Sequence, residues 1–341
     1  MSAQTKIEWC DSTFNPWIGC TRVSPACDDC YAARSTPART GGVKWGAGEA
    51  RRRTAAANWK LPERWNREQF VQCVKCGWRG YKKGGPACPE CCSGEEIPAR
   101  RRVFCASLAD WLDNEVPIEW LVDLLDLIRR TPNLDWLLLT KRIGNWKKRI
   151  QDATSACWES NPALRDWLLD WVGERSTPAN VWIGSTTESQ KRADEDVRKL
   201  LRVPAIVRFL SIEPMLGSVN LCSCDGAAYR AQGHPFLIDI SCPLHGKHRV
   251  HWVIAGGESG PKARPSHPDW YRALRDQCAA AGVPFLFKQW GEWSPHAPPG
   301  CKTEPGPSAP DGWKHFWRVG KANAGRLLDG REHSEFPAVT A

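Results

Sequence analysis

Three cysteines near the start of the chain, Cys20-x6-Cys27-x2-Cys30 within WIGCTRVSPACDDCYA, are the residues most suited to chemistry. Thiolates hold iron–sulfur clusters and zinc. A structural tetrahedral site fills all four ligand positions, whereas a reactive centre keeps one free. Three grouped cysteines therefore suit a cluster whose fourth iron binds a substrate or cofactor. The same spacing also suits a zinc knuckle completed by Cys10 or by a distant ligand, so it leaves both metals open.

A second cysteine group is closed. Cys73-x2-Cys76 and Cys88-x2-Cys91, separated by the Gly- and Lys-rich GWRGYKKGGPA, form a zinc-ribbon pattern, with Cys92 left spare. So small and polar a segment cannot bury enough to fold without its metal. A third group, Cys222, Cys224, Cys242 and His245, offers four further zinc ligands in a less diagnostic Cys-x-Cys arrangement, with His248 as a substitute. The sixteen cysteines fit a reducing compartment, where such clusters mean metal sites more often than disulfides. No leader pattern opens the chain and no stretch approaches the ~18 apolar residues of a membrane span. A cytoplasmic protein without a membrane partner is expected.

The elements that must position these groups are continuous apolar runs: VFCASL (103–108), LDWLLL (134–139), NVWIGS (180–185), IVRFLSI (206–212), HWVIAG (251–256) and PFLFK (284–288). They alternate with helical stretches at 117–130 and 188–202, and FNPWIG (14–19) serves as a first strand. Strand–helix alternation implies a parallel sheet, here a partial or complete β/α (TIM-like) barrel. The expected organisation is a cluster loop and first part of the barrel (1–70), a zinc-ribbon-like insert (71–99), barrel (100–221), a Cys/His-rich insert (222–250), and the last part of the barrel with the tail (251–341). Polar residues follow nearly every strand: Ser107 and Asp110, Thr140 to Arg142, Ser185, Thr187 and Glu188, Ser211 and Glu213, Gly256 to Ser259, Lys288 and Gln289. In parallel α/β folds the active site gathers at that end, and the cysteine loop follows a strand too.

Charge is uneven. Residues 1–104 carry 18 Lys and Arg against 10 Asp and Glu, eight of the nine net positive charges. The runs Arg51 to Arg53, Lys82–Lys83 and Arg100 to Arg102 interleave with Trp45, Trp59, Trp65 and Trp78, a pattern suited either to a DNA or RNA groove or to a solvated face. The twenty tryptophans suggest core filling with some left for stacking. VGKANAGRLLDGREH (319–333) has no phosphate-loop pattern and reads as turns.

FNPWIGCTRVSPACDDCYA (14–32), LLLTKR (137–142), FLSIEPMLG (209–217), VIAGGESGPKARP (253–265), FKQWGEW (287–293) and VGKANAGRLLDGRE (319–332) together resemble the phage-associated three-cysteine-motif proteins. That family is distantly similar to radical S-adenosylmethionine enzymes, spore photoproduct lyase among them. The resemblance implies that Cys20, Cys27 and Cys30 ligate a [4Fe–4S] cluster whose open iron binds S-adenosylmethionine, with an electron donor as partner. It implies an enzyme that generates a 5′-deoxyadenosyl radical for modification or repair of a nucleic-acid base. The superfamily's commonest cysteine spacing is x3 then x2, whereas here the first gap is x6, Asp29 precedes the last cysteine and Tyr31 follows it. Its GGE-like element sits early in the barrel, whereas Gly256-Gly257-Glu258 follow a late strand. Ser107, Glu213, Gly256, Gly257 and Glu258 are the candidate cofactor contacts, with Lys141 and Arg142 available for a carboxylate or phosphate. The alternative is a zinc-bound nucleic-acid or partner-binding protein without radical chemistry. A hydrolase using Glu213 or Glu258 with His267 lacks nucleophile–base spacing, and His267-Pro268 reads as a helix start.

Overall fold

The computed structural model describes residues 5–35, 41–81, 87–221, 249–296, 304–305 and 316–338. Seven strands form the main sheet: β1 (Ser12–Phe14), β2 (Arg101–Cys105), β3 (Leu134–Thr140), β4 (Val181–Thr186), β5 (Val207–Ile212), β6 (Trp252–Gly256) and β7 (Phe285–Gln289). Their order in the sheet is their order in the chain, and every neighbouring pair is parallel. With no reversal of strand order, all carboxyl ends open on one side. β1 and β7 are the two edges, so the sheet is a curled half-barrel.

Helices α1 (Ile118–Arg130), α2 (Trp146–Ala156), α3 (Pro162–Val172), α4 (Gln190–Leu201) and α5 (Pro268–Ala280) cross between strands. In α1 the buried residues Leu121, Leu124, Leu125 and Ile128 recur at i, i+3, i+4 and i+7, which places one apolar stripe on the sheet. Asn161 caps α3 by accepting from the Leu164 N–H, and His267 caps α5 by accepting from the Asp269 N–H, each followed by a proline in the first turn. His267 is thus a helix start, as its position before Pro268 suggests.

Two cores lie on the two faces of the sheet. The outer one joins sheet to helices through residues such as Leu138, Ile183, Leu124 and Val197. The inner one is a concave floor of Trp9, Phe104, Trp182, Phe209 and Trp252. The Trp9 ring lies 4.4 Å from Phe104 on β2 and 6.5 Å from Trp252 on β6. One side chain touching strands that far apart requires the sheet to curl around it. Tryptophans serve chiefly as core: among the described residues only Trp158 is exposed. Also among the described residues, no helix is long and apolar enough to cross a membrane.

Two expectations change. The first strand ends at Phe14 rather than at residue 19, because Asn15-Pro16 turns the chain and Trp17–Ile18 pairs with Arg52–Arg53 in a separate antiparallel ladder. The basic runs are partly internal, with Arg51 and Arg101 buried and Arg52 exposed. Arg51 has a fully buried side chain that donates to Asp113 at 2.9 Å. Arg53 lies 4.3 Å from the Trp59 ring centroid and pairs with Asp123. Arg101 lies over Tyr81 at 4.1 Å and Trp65 at 5.1 Å, and Arg102 over Phe336 at 3.9 Å. The interleaving of Arg with aromatic residues thus includes cation–π packing within the fold, while Arg52 is exposed. Lys82 and Lys83 lie outside the described residues.

Candidate functional site

The turn at Asn15-Pro16 launches the cysteine loop across the carboxyl ends of the strands. Asn15 fixes the departure: its side-chain amide donates to Ser107 Oγ at 3.0 Å, and its Oδ1 accepts from the Leu108 N–H at 2.7 Å. Gly19 adopts a φ of +112°, where a side chain is strained, and a Cβ there would stand a tight 3.1 Å from both Arg51 Cδ and Val43 Cγ1. Cys20 follows, and a single helical turn, Pro25–Cys27, presents Cys27.

Side chains from several strands pin this loop. Arg142, after β3, donates to the Thr21 carbonyl at 2.7 Å and to Cys20 Sγ at 3.3 Å. Arg51 donates to Thr21 Oγ1 at 2.6 Å, Arg264 to the Pro25 carbonyl at 3.0 Å, and the Tyr31 hydroxyl to the Ser107 carbonyl at 3.0 Å. Such multiple anchoring holds thiols in place before any ligand arrives.

Cys20, Cys27 and Cys30 all line one cleft of about 820 Å³, a volume that includes its solvent-open mouth. The strand ends contribute Ser107, Asp110, Thr140, Lys141, Thr186, Ser211, Glu213 and Lys288 to the same cleft, and Trp9, Phe104, Tyr31 and Trp45 supply aromatic surface. Ala106, at the end of β2, takes a left-handed φ of 62°, a conformation that costs energy for a residue with a Cβ and tends to mark functional sites. Lys288 Nζ sits 2.5 Å from Glu213 Oε2. Burial opposes the lysine's charge, but the Glu213 carboxylate outweighs it and holds the ammonium above its ordinary value. The other carboxylate oxygen, Glu213 Oε1, is buried and has no hydrogen-bond partner. Burial and the Asp110 carboxylate push the Cys20 thiol up to about 12 against the pull of Arg142.

The second cysteine group closes on itself. The Sγ atoms of Cys73, Cys76, Cys88 and Cys91 lie within 4.8 Å of one another, with Cys73–Cys91 at 3.6 Å and Cys76–Cys88 at 3.5 Å. Four sulfurs at ~2.3 Å from a tetrahedral ion stand about 3.8 Å apart, so this group can hold one metal ion. A three-stranded antiparallel sheet of Phe70–Cys73, Arg79–Tyr81 and Glu96–Pro98 carries it. The two Cys-x2-Cys turns have matching form: Gly77 N–H donates to the Cys73 carbonyl and Cys92 N–H to the Cys88 carbonyl, each residue with a left-handed φ. Cys92, spare as a ligand, takes the turn position that Gly77 takes in the other half. The Cys76 amide points at the Cys73 sulfur and helps pull that thiol down to about 7. Cys20, Cys27 and Cys30 form no such compact group.

A family profile described as a protein of unknown function, DUF5131, matches residues 4–337. The chain belongs to the DUF5131 family. No curated protein and no solved structure matches it. In this DUF5131 chain the expected site residues fall into three sets. Ser107 and Glu213 line the cleft, although the Ser107 hydroxyl is already bonded to Asn15. Gly256, Gly257 and Glu258 do not line it. Gly257 is there for close approach to β7, since a Cβ would lie 1.8 Å from the Trp290 carbonyl oxygen, and Gly256 faces Lys288 and Gln289. Glu258 is buried and consumed by Arg264, whose Nε donates at 2.7 Å and whose backbone N–H donates at 2.8 Å to the same oxygen. Cys222, Cys224, Cys242 and His245 lie outside the described residues.

Sequence reasoning missed Trp9, Thr21 and Arg264. Trp9 precedes the first strand and belongs to no periodic pattern. Thr21 adjoins the motif and was legible as such. Arg264 reaches the loop only through a contact across 239 residues.

Proposed function

We propose that the cleft is the active site of a radical S-adenosylmethionine-type iron–sulfur enzyme acting on a nucleic-acid base. The observation that carries this reading is that Cys20, Cys27 and Cys30 line the same cleft as the strand-end polar groups. The fit of the residues is chemical: three soft donors line the same cleft, and thiolates are the usual ligands of iron–sulfur clusters. Cys20, Cys27 and Cys30 would hold a [4Fe–4S] cluster, which when bound with S-adenosylmethionine and supplied with one electron gives access to a 5′-deoxyadenosyl radical.

The chain's own residues do the rest. Glu213 Oε1, buried without a partner, accepts a hydrogen bond from an ammonium or amide donor of whatever binds, and Lys288 fixes that carboxylate from its other oxygen. Lys141, with only a 3.5 Å contact to Thr186 Oγ1, is free to meet a carboxylate or phosphate. Tyr31 and Trp45 at the cleft offer ring faces for a base from DNA or RNA. The curled sheet and the loop pinned by Arg142 and Arg264 keep these groups in register. We assign zinc to the Cys73, Cys76, Cys88 and Cys91 site, where four thiolates complete a closed structural sphere.

That site also favours a second reading, a zinc-bound nucleic-acid or partner-binding protein without radical chemistry. Iron and acid-labile sulfide analysis of the anaerobically reconstituted chain separates the two. About four irons and four sulfides, lost in Cys27→Ala while zinc is retained, is the result expected. Zinc alone would transfer the conclusion to the second reading.

A further inference from the structure

Arg142 is a buried cation aimed at a proposed cluster ligand, and the cleft's chemistry as described does not explain its charge. Its side chain is 7% exposed. One guanidinium nitrogen contacts both Cys20 Sγ at 3.3 Å and Asp110 Oδ2 at 3.1 Å, while the other donates to the Thr21 carbonyl at 2.7 Å. Asp110 is held in turn. It accepts from the Thr140 hydroxyl at 2.7 Å, the Lys141 N–H at 2.9 Å and the Leu112 N–H at 3.0 Å. Behind them Asp113 lies 3.9 Å from Arg142 and is neutralised by Arg51 at 2.9 Å. Neither charge of the Arg142–Asp110 couple has room to swing away from Cys20.

We infer that Arg142 and Asp110 set the reduction potential of the centre ligated by Cys20, the arginine raising it and the aspartate lowering it. The inference rests on the iron–sulfur reading above. Reduction adds one electron and no atoms, the electron coming from a low-potential one-electron donor, and no bond of the protein forms or breaks. The added negative charge is favoured by a fixed guanidinium that hydrogen-bonds the ligating sulfur and disfavoured by a fixed carboxylate beside it. Hydrogen bonds to sulfur and local charge are established determinants of cluster potential. Both residues are positioning and tuning groups, since neither need touch substrate.

The experiment is a potentiometric titration followed by electron paramagnetic resonance on the full chain, reconstituted anaerobically, reduced with dithionite through viologen mediators, with iron and sulfide counted in every sample. Arg142→Met is expected to lower the midpoint by at least the ~59 mV that a tenfold change in a one-electron equilibrium represents. Asp110→Asn is expected to raise it, and Arg142→Lys to fall between Arg142→Met and wild type. A purely structural role moves cluster content but produces no opposed shifts. Equal midpoints at full iron content, or shifts of the same sign, would overturn the inference and leave the iron–sulfur reading intact. A wild-type chain that takes up no cluster would overturn that reading and the inference with it. Should Arg142→Met fail to fold, Asp110→Asn and Arg142→Lys still have to move in opposite directions, or the inference falls.

Discussion

Replacing Arg51 with methionine tests whether the basic runs of this chain are structural or face a ligand. Arg51 and Asp113 have fully buried side chains and meet at 2.9 Å. Arg51 also donates to the carbonyls of Gly46 at 3.0 Å and Glu49 at 2.6 Å, and to Thr21 Oγ1. At an effective dielectric of ~20 the direct attraction is about 6 kcal/mol, much of it offset by desolvation in the intact protein. Removing only the arginine leaves Asp113 buried without its direct partner, with the Arg142 guanidinium 3.9 Å away as the remaining cation, which costs up to about 3–5 kcal/mol. Against a typical total of roughly 5–15 kcal/mol this is a large fraction. Urea denaturation followed by tryptophan fluorescence should show a markedly lower midpoint for Arg51→Met. The exposed Arg52, bonded to the Gly41 carbonyl, should give a Met variant within ~0.5 kcal/mol of wild type. Adding Asp113→Asn to Arg51→Met should recover roughly 1–3 kcal/mol, the coupling expected of residues in contact. A wild-type midpoint for Arg51→Met, combined with weakened nucleic-acid binding, would refute this reasoning and restore a surface role.

Three further outcomes follow from single contacts. His251 accepts from the Arg208 N–H at 2.9 Å, and burial, with Arg208 and Arg249 nearby, lowers its folded pKa to about 4. The neutral ring is the folded form, so its contribution is complete above pH ~6.5 and declines as pH falls toward 4, by roughly 1–3 kcal/mol. Denaturation midpoints of His251→Gln should lose that part of the pH slope, and an unchanged slope would contradict the assignment. Gly257→Ala, whose Cβ would strike the Trp290 carbonyl, should cost more than ~2 kcal/mol in thermal or urea unfolding, whereas Gly217→Ala, with nothing within 4 Å, should be near neutral. Cys76→Ala should abolish zinc uptake and hydrogen-exchange protection over 70–98 while β3 and β4 stay protected; loss of protection throughout would show that the two parts fold as one.

The main sheet was legible because its strands are buried on both faces and therefore read as unbroken apolar runs, such as Val207–Ile212 and Val181–Thr186. The cysteine-bearing mouth was legible for the same reason, since strand ends can be counted. FNPWIG misled because its apolar content continues past Pro16, where the ladder cannot. The packing of the basic front third was not legible because composition does not distinguish a guanidinium in water from one lying on a ring, as Arg101 lies on Tyr81. Gly257 looked like part of a ligand motif, although its lack of a side chain lets the chain after β6 approach the Trp290 carbonyl after β7. The links that pin the cysteine loop, Arg264 to Pro25 and Arg142 to Thr21, join residues far apart in the chain and leave no periodic trace.

The most direct measurement is electron paramagnetic resonance of the anaerobically reconstituted and reduced protein, with and without S-adenosylmethionine. The account predicts a [4Fe–4S] signal that changes when S-adenosylmethionine is added and that disappears in Cys20→Ala, Cys27→Ala and Cys30→Ala. A protein that carries zinc at Cys73, Cys76, Cys88 and Cys91 but gives no cluster signal after reconstitution, or a signal indifferent to S-adenosylmethionine, would contradict it.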